Sequence, residues 1–219
     1  VDGAPDVRFE DLTLSDLDAG EVVIRTAYAG VGYRDAMAAR GVGRNIRTDR
    51  PCVGGVDVSG VVVSSTDPRY KGGDLVLVTN YAFGITHDGA FSEYVRVRAD
   101  WIVPLPRGLT LREAMVLGSS GLTAAVAYDR LVNSGVKPES GPIVVTGASG
   151  GVGSLAVDIF SSHGYAVFAV TGKAAAAEYL REIEIGCRGI EHRNQALVPL
   201  RNIKIVEPRL QGLGQGIAH

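Results

Sequence analysis

The sequence predicts an α/β protein in two parts: a compact, mostly antiparallel β barrel, then a parallel doubly wound sheet that has been shortened. Three observations carry this. Short β-type runs punctuated by Gly, Asn and Asp fill the chain to about residue 100. The grammar then changes near Pro142 to strand, glycine turn, helix and strand. Only 78 residues run from Pro142 to His219, room for about three strand–helix steps of roughly 25 to 30 residues each. The expected division is residues 1–110 for the barrel and 111–219 for the doubly wound part.

Taken in order, Glu21 to Ala27 (EVVIRTA) alternates like a half-buried strand. Val56 to Val63 (VDVSGVVV) and Leu75 to Thr79 (LVLVT) are β-branched runs separated by the punctuation Gly72-Gly73-Asp74. Phe91 to Val97 (FSEYVRV) alternates again. Helical spacing of apolar residues follows over Thr110 to Met115 and Ser120 to Leu131, with Thr110 and Glu113 in capping-box register. Pro142 to Thr146 (PIVVT) is a short apolar strand, Ser154 to His163 a helix closed by Gly164 as a left-handed cap, and Tyr165 to Val170 a second strand. Ala174 to Arg181 is expected to be helical.

The strand, turn and helix around residue 147 carry the strongest chemistry. Gly147, Gly150 and Gly153 have the spacing G-x-x-G-x-x-G, with Ser149, Gly151 and Val152 between them. Glycine allows the tight turn, lets backbone N–H groups approach a pyrophosphate, and brings helix and strand close. The helix N-terminus adds partial positive charge. The bland alternative is a glycine turn that serves close packing alone. At the end of the second strand, a carboxylate would accept hydrogen bonds from the 2′-hydroxyl of NAD and repel a 2′-phosphate. Thr171-Gly172-Lys173 stand there instead, a hydroxyl, a flexible turn and a cation, which favours NADP(H). Lys173 could otherwise be a solvated lysine in the first turn of a helix, although a cation is mildly unfavourable there.

Composition narrows the alternatives. Lys and Arg number 22 against 24 Asp and Glu, so the net charge of −2 offers no field for nucleic acid or an anionic membrane. Apolar residues make up 46% and charged ones 21%, which is enough for a sizeable core. Two isolated cysteines, Cys52 and Cys187, imply no disulfide framework. No apolar run reaches the roughly 18 residues of a membrane span, and the charged start does not resemble a signal peptide, so a cytoplasmic protein is expected. The four histidines and two cysteines form no ligand cluster, so no metal is expected.

Val31-Gly32-Tyr33-Arg34-Asp35-Ala36 and Cys52 to Gly60 (CVGGVDVSG) together resemble the medium-chain dehydrogenase/reductase superfamily. The stretches Asp74 to Trp101, Gly118 to Ala124 and Val144 to Ser154 (VVTGASGGVGS) look like its zinc-free quinone-oxidoreductase-like branch, specifically the acrylyl-CoA reductase (NADPH) group. The match runs from about Leu12 to Leu180. It implies a GroES-like barrel joined to a Rossmann domain, and hydride transfer from NADPH to the β-carbon of an enoyl thioester or a related quinone or enone. By this resemblance Tyr33 matches a tyrosine near nicotinamide and substrate, Asp57 an aspartate of the catalytic barrel, and Thr123 a threonine on the nicotinamide side of the cofactor. Ser149, Gly151, Val152, Thr171 and Lys173 match phosphate and ribose positions. The bland readings are a core tyrosine with a wet hydroxyl, an aspartate satisfying backbone donors in a turn, and an ordinary helix threonine.

The departures are Gly32, where the family has asparagine, and the region after Leu180. There Glu184 to Arg193 and Pro208 to His219 look like pieces from near the family's C-terminus, with the middle deleted. A shortened sheet leaves an edge that needs cover, so a homodimer is expected. Three readings follow: a working reductase of a small-molecule substrate; a degenerate, non-catalytic member acting as a nucleotide-binding or assembly protein; or a sequence that omits part of a longer enzyme.

Overall fold

The computed structural model describes residues 6–42, 45–173, 175–176, 179–180 and the backbone of 204–206. The chain divides into two compact units, Val1–Ser119 and Ser120–His219.

In the first unit, β1 (Val22–Gly30), β2 (Asp57–Ser65), β3 (Leu75–Thr79), β4 (Tyr94–Val97) and β5 (Ile102–Pro104) form a five-stranded sheet in the order β4-β1-β2-β3-β5. Every pairing is antiparallel. The alternation in β1 puts Val22 and Ile24 wholly inside, where they meet Val58, Val62, Val76, Val78, Val95 and Val97. β-Branched side chains suit such a pleated, buried face. The long strand β1 bonds to both β2 and β4, and shifts register between Thr26 and Tyr28 as a bulge.

Two elements here went unanticipated. The strand β5 is only three residues long, too short for a periodic signal. The helix α1 (Tyr33–Ala39) has seven residues and starts on Gly32, which has no side chain to cap it. Asp35 supplies the cap instead: its Oδ2 accepts the Gly32 N–H at 2.7 Å, and its Oδ1 accepts the Val56 N–H at 3.0 Å. The same carboxylate therefore starts α1 and ties it to the entry of β2. The end is closed by Gly41 N–H and Val42 N–H donating to Ala38 and Met37 carbonyls, both at 2.9 Å.

The two helical stretches expected after residue 110 are both present within Leu111–Asn133 (α2), separated by a kink at Gly118, whose backbone is not helical. Its start is the capping box read from the sequence: Thr110 Oγ1 accepts the Glu113 N–H at 3.2 Å, and Glu113 Oε2 accepts the Thr110 N–H at 2.8 Å.

The second unit holds a three-stranded parallel sheet, β6 (Ile143–Thr146), β7 (Val167–Val170) and β8 (Lys204–Val206), in that order. The helix α3 (Gly151–Ser162) makes the β6-to-β7 crossover. Its last turn ends at His163, and Gly164 follows with φ +84°, the left-handed cap expected there. The core joins Val145, Ala148, Val157, Phe160, Val167, Ala169 and Leu180 with Ala124 of α2. Tyr128, Phe160 and Tyr165 interlock as aromatic pairs, and the Tyr165 hydroxyl donates to the Val136 carbonyl at 2.9 Å. The strand β8 was not read from the sequence. Half of the expected helix 174–181, and both C-terminal pieces at 184–193 and 208–219, lie outside the described residues. No described helix is long and apolar enough to cross a membrane.

Candidate functional site

In the second unit the glycine turn sits between β6 and α3, as its sequence implies. Gly147 turns the chain with φ +61°, and its carbonyl accepts the Gly150 N–H at 2.9 Å. Gly150 is the N-cap of α3, and its carbonyl takes the Ser154 N–H at 2.8 Å. The N–H groups of Gly151, Val152 and Gly153 in the first turn have no intrahelical acceptor. Gly153 is where helix and turn approach most closely: a Cβ there would lie 2.3 Å from the Gly147 carbonyl oxygen. In front of the turn there is space, since a Cβ on Gly147 or Gly172 would meet nothing within 4 Å. The arrangement is an open cradle lined with main-chain donors, which fits the phosphates of a dinucleotide.

Beside it, the ends of β6 and β7 bring the predicted hydroxyls together. Ser149 Oγ and Thr171 Oγ1 are 2.9 Å apart, and Thr171 Oγ1 accepts the Lys173 N–H at 3.2 Å. Thr171 is buried, whereas Gly172 and Lys173 are exposed. The only carboxylate between Gly147 and Lys173 is Asp158, within α3. Among the described residues at the ends of β6 and β7, no carboxylate stands to repel a 2′-phosphate. Thr123 lies exposed on α2.

The other two predicted residues belong to the first unit and differ in kind. Tyr33 opens α1 and is 79% exposed, at the rim of a shallow concavity of about 200 Å³ lined with Met37, Val42 and Ile85. It is no core tyrosine. Asp57 opens β2 and is 5% exposed. Its Oδ1 accepts from the Thr79 hydroxyl, and its Oδ2 accepts the Ser119 N–H at 3.1 Å. Asn80 Nδ2 reaches Thr79 Oγ1 at 3.5 Å, and Arg34 Nη1 donates to Asn80 Oδ1 at 3.0 Å. The carboxylate is thus built into a network that holds the kink of α2. Gly118 has φ +46° and ψ −151°, which a side chain cannot easily share, and a Cβ there would come within 2.9 Å of Asp57 Oδ2. Thr79, Asn80, Gly118 and Asp35 were not singled out from the sequence. Only Gly118 carried a signal, as a glycine inside a helical pattern.

A buried ionic cluster also lay outside the sequence reading. Arg47, 5% exposed, bridges Asp18 and Asp88, and Arg50 pairs with the other oxygen of Asp18. Asp88 Oδ2 accepts the Asp18 N–H at 2.9 Å, and Asp18 Oδ2 accepts the Asp88 N–H at 2.8 Å. Burial works against the charged form of Asp18, but the Arg47 guanidinium and the Asp88 N–H outweigh it and hold the carboxyl at about 2. Cys52 nearby is pushed up to about 11 by burial, so it is a poor nucleophile. His87 is buried with Nδ1 2.9 Å from the Asp88 carbonyl and Nε2 3.2 Å from the Ala19 carbonyl, edge-on to Trp101. It belongs to the architecture of this loop. Among the described residues, no group of three or more His, Cys, Asp or Glu side chains is placed to hold a metal ion.

Residues 18–107 match the alcohol dehydrogenase GroES-like domain family. The chain is 45% identical over 177 residues to the putative quinone oxidoreductase YhfP of Bacillus subtilis, covering 81% of this chain and 53% of that one. A crystal structure of YhfP with NAD bound superposes with a TM-score of 0.75 at 46% identity, covering 78% and 52%. The acrylyl-CoA reductase AcuI of Ruegeria pomeroyi is 43% identical over 181 residues, covering 83% and 54%. The YhdH oxidoreductase of Salmonella enterica, solved in complex with NADP, gives a TM-score of 0.80 at 40% identity, covering 84% and 56%. The chain spans about half the length of these relatives. With an antiparallel sheet whose residues match the GroES-like family, and a parallel sheet opened by the glycine turn, the chain belongs to the medium-chain dehydrogenase/reductase superfamily, on the branch of the quinone oxidoreductases and acrylyl-CoA reductases.

Proposed function

We propose that the chain carries the cofactor-binding and substrate-facing elements of an NADPH-dependent reductase that acts on the C=C bond of an enoyl thioester such as acrylyl-CoA, or on a related quinone or enone. The observation that carries this is the open glycine cradle at the head of α3 with Ser149, Thr171 and Lys173 gathered beside it. The names of the relatives support the substrate class. We assign residues 1–110 to the catalytic part and 111–219 to the cofactor part.

The first-turn N–H groups of α3, with Gly147, Gly150, Gly151, Val152 and Gly153 around them, would hold the pyrophosphate. Ser149 and Thr171 would donate hydrogen bonds to the 2′-phosphate, and the Lys173 ammonium would neutralise it. Thr123 would steady the nicotinamide side. Bound NADPH supplies the hydride. The exposed hydroxyl of Tyr33 would deliver the proton to the α-carbon once charge has passed to the thioester oxygen. Asp57 has both oxygens engaged, so its part is to keep the Gly118 kink and the turn after β3 in place.

Lys173→Glu is expected to weaken NADPH binding by about tenfold or more while leaving NADH nearly unchanged, because it sets a carboxylate against the 2′-phosphate. Calorimetric titration of both cofactors reads this, and an equal loss for the two would remove Lys173 from the 2′ site. Failure of the unmodified chain to bind either cofactor would favour the non-catalytic reading. Tyr33→Phe should lower turnover of acrylyl-CoA by about 10²-fold, as loss of a general acid does, with NADPH affinity unchanged. A collapse of cofactor binding in that variant would make Tyr33 a structural residue.

A further inference from the structure

Ser120 of α2 lies against Gly151. A Cβ built on Gly151 would lie 3.0 Å from Ser120 Oγ and 3.6 Å from its Cβ, so the hydroxyl sits against the first residue of α3. The position is fixed from behind. One turn further along α2, Ala124 is fully buried against Val145, Ala148 and Val157, which locks this face of α2 onto the strand and helix that flank the turn. Ser120 itself is half-buried, and among the described residues no hydrogen bond engages its hydroxyl. The spare hydroxyl is thus set against Gly151, the residue that opens α3, whose first-turn main-chain N–H groups have no intrahelical acceptor.

We propose that Ser120 is a further cofactor-binding residue, whose hydroxyl donates a hydrogen bond to a pyrophosphate oxygen of the dinucleotide seated at the first turn of α3. This rests on the reading of the glycine turn as the NADP(H) site and adds a ligand to it from a separate element. It also gives Gly151 a specific reason. A methyl group there would press on the Ser120 hydroxyl and turn it away from the phosphate.

Because the pyrophosphate is common to both cofactors, Ser120→Ala should weaken NADPH and NADH by the same factor, about tenfold, as expected for a hydrogen bond to a charged group. This separates it from Lys173→Glu, which discriminates between them. The melting temperature without cofactor should not change. Gly151→Ala should lose affinity when Ser120 is present and lose little more in the Ser120→Ala background, so the two losses are not additive. Unchanged affinity of Ser120→Ala for both cofactors, with the unmodified chain binding normally, would overturn the Ser120 assignment alone. Strictly additive losses would overturn it too. If the unmodified chain binds neither cofactor, the reading of the glycine turn falls together with it.

Discussion

Arg47→Met is expected to destabilise the first unit by about 3–5 kcal/mol, the range for removing one partner of a buried charge pair. The guanidinium is 5% exposed and lies between two carboxylates that are themselves 15% and 7% exposed. It also donates to the carbonyls of Pro51 and Thr86. Without it, Asp18 and Asp88 face each other with one half-exposed partner, Arg50, and two carbonyls lose a donor. Arg50→Met is the control: its side chain is 46% exposed, and its loss should cost no more than about 1 kcal/mol. Urea denaturation of the full chain at pH 7 gives both numbers. A cost within about 1 kcal/mol for Arg47→Met would mean that the cluster is solvated and contributes little.

The same cluster gives an acid signature whose sign follows from the Asp18 carboxyl. Its folded value, about 2, lies below the roughly 3.9 of an unfolded aspartate. The stabilisation is therefore complete above about pH 4 and is lost as the pH falls towards 2. Asp18→Asn should flatten that part of the stability profile.

Gly153→Ala is the largest expected effect on the proposed cofactor site. The added methyl would lie 2.3 Å from the Gly147 carbonyl oxygen and 2.8 Å from the Ala148 Cα, atoms of main chain that cannot rotate aside. Overpacking of this kind costs about 1–3 kcal/mol. Relief requires the turn to open, which takes the α3 N-terminus away from the phosphates, so NADPH affinity should fall by about 10- to 100-fold. Equal NADPH affinities for Gly153→Ala and the unmodified chain would show that the turn does not hold the cofactor.

Local signals were legible where one segment makes its own structure. The runs Leu75 to Thr79 and Pro142 to Thr146, the Thr110–Glu113 cap, the Gly164 cap and the glycine turn all depend on residues within a few positions of each other. The hydroxyls Ser149 and Thr171 could be predicted to meet because a strand–helix–strand unit forces the ends of its two parallel strands together. The helix α1 was missed because it has neither the length for a periodic pattern nor a polar N-cap. The carboxylate that starts it, Asp35, earns its place through Val56, 21 positions away.

Sequence alone therefore determined the two-part α/β organisation, the family and the glycine turn between strand and helix, since these are written in contiguous residues. Tertiary structure decided what the isolated polar residues do. Asp57 is a buried anchor of a helix kink, Arg47 the centre of an ion cluster spanning 70 positions from Asp18 to Asp88, and Ser120 a hydroxyl set against Gly151. The physical reason is that the state of a charge or hydroxyl depends on desolvation and on partners within a few ångströms, and those partners come from distant parts of the chain.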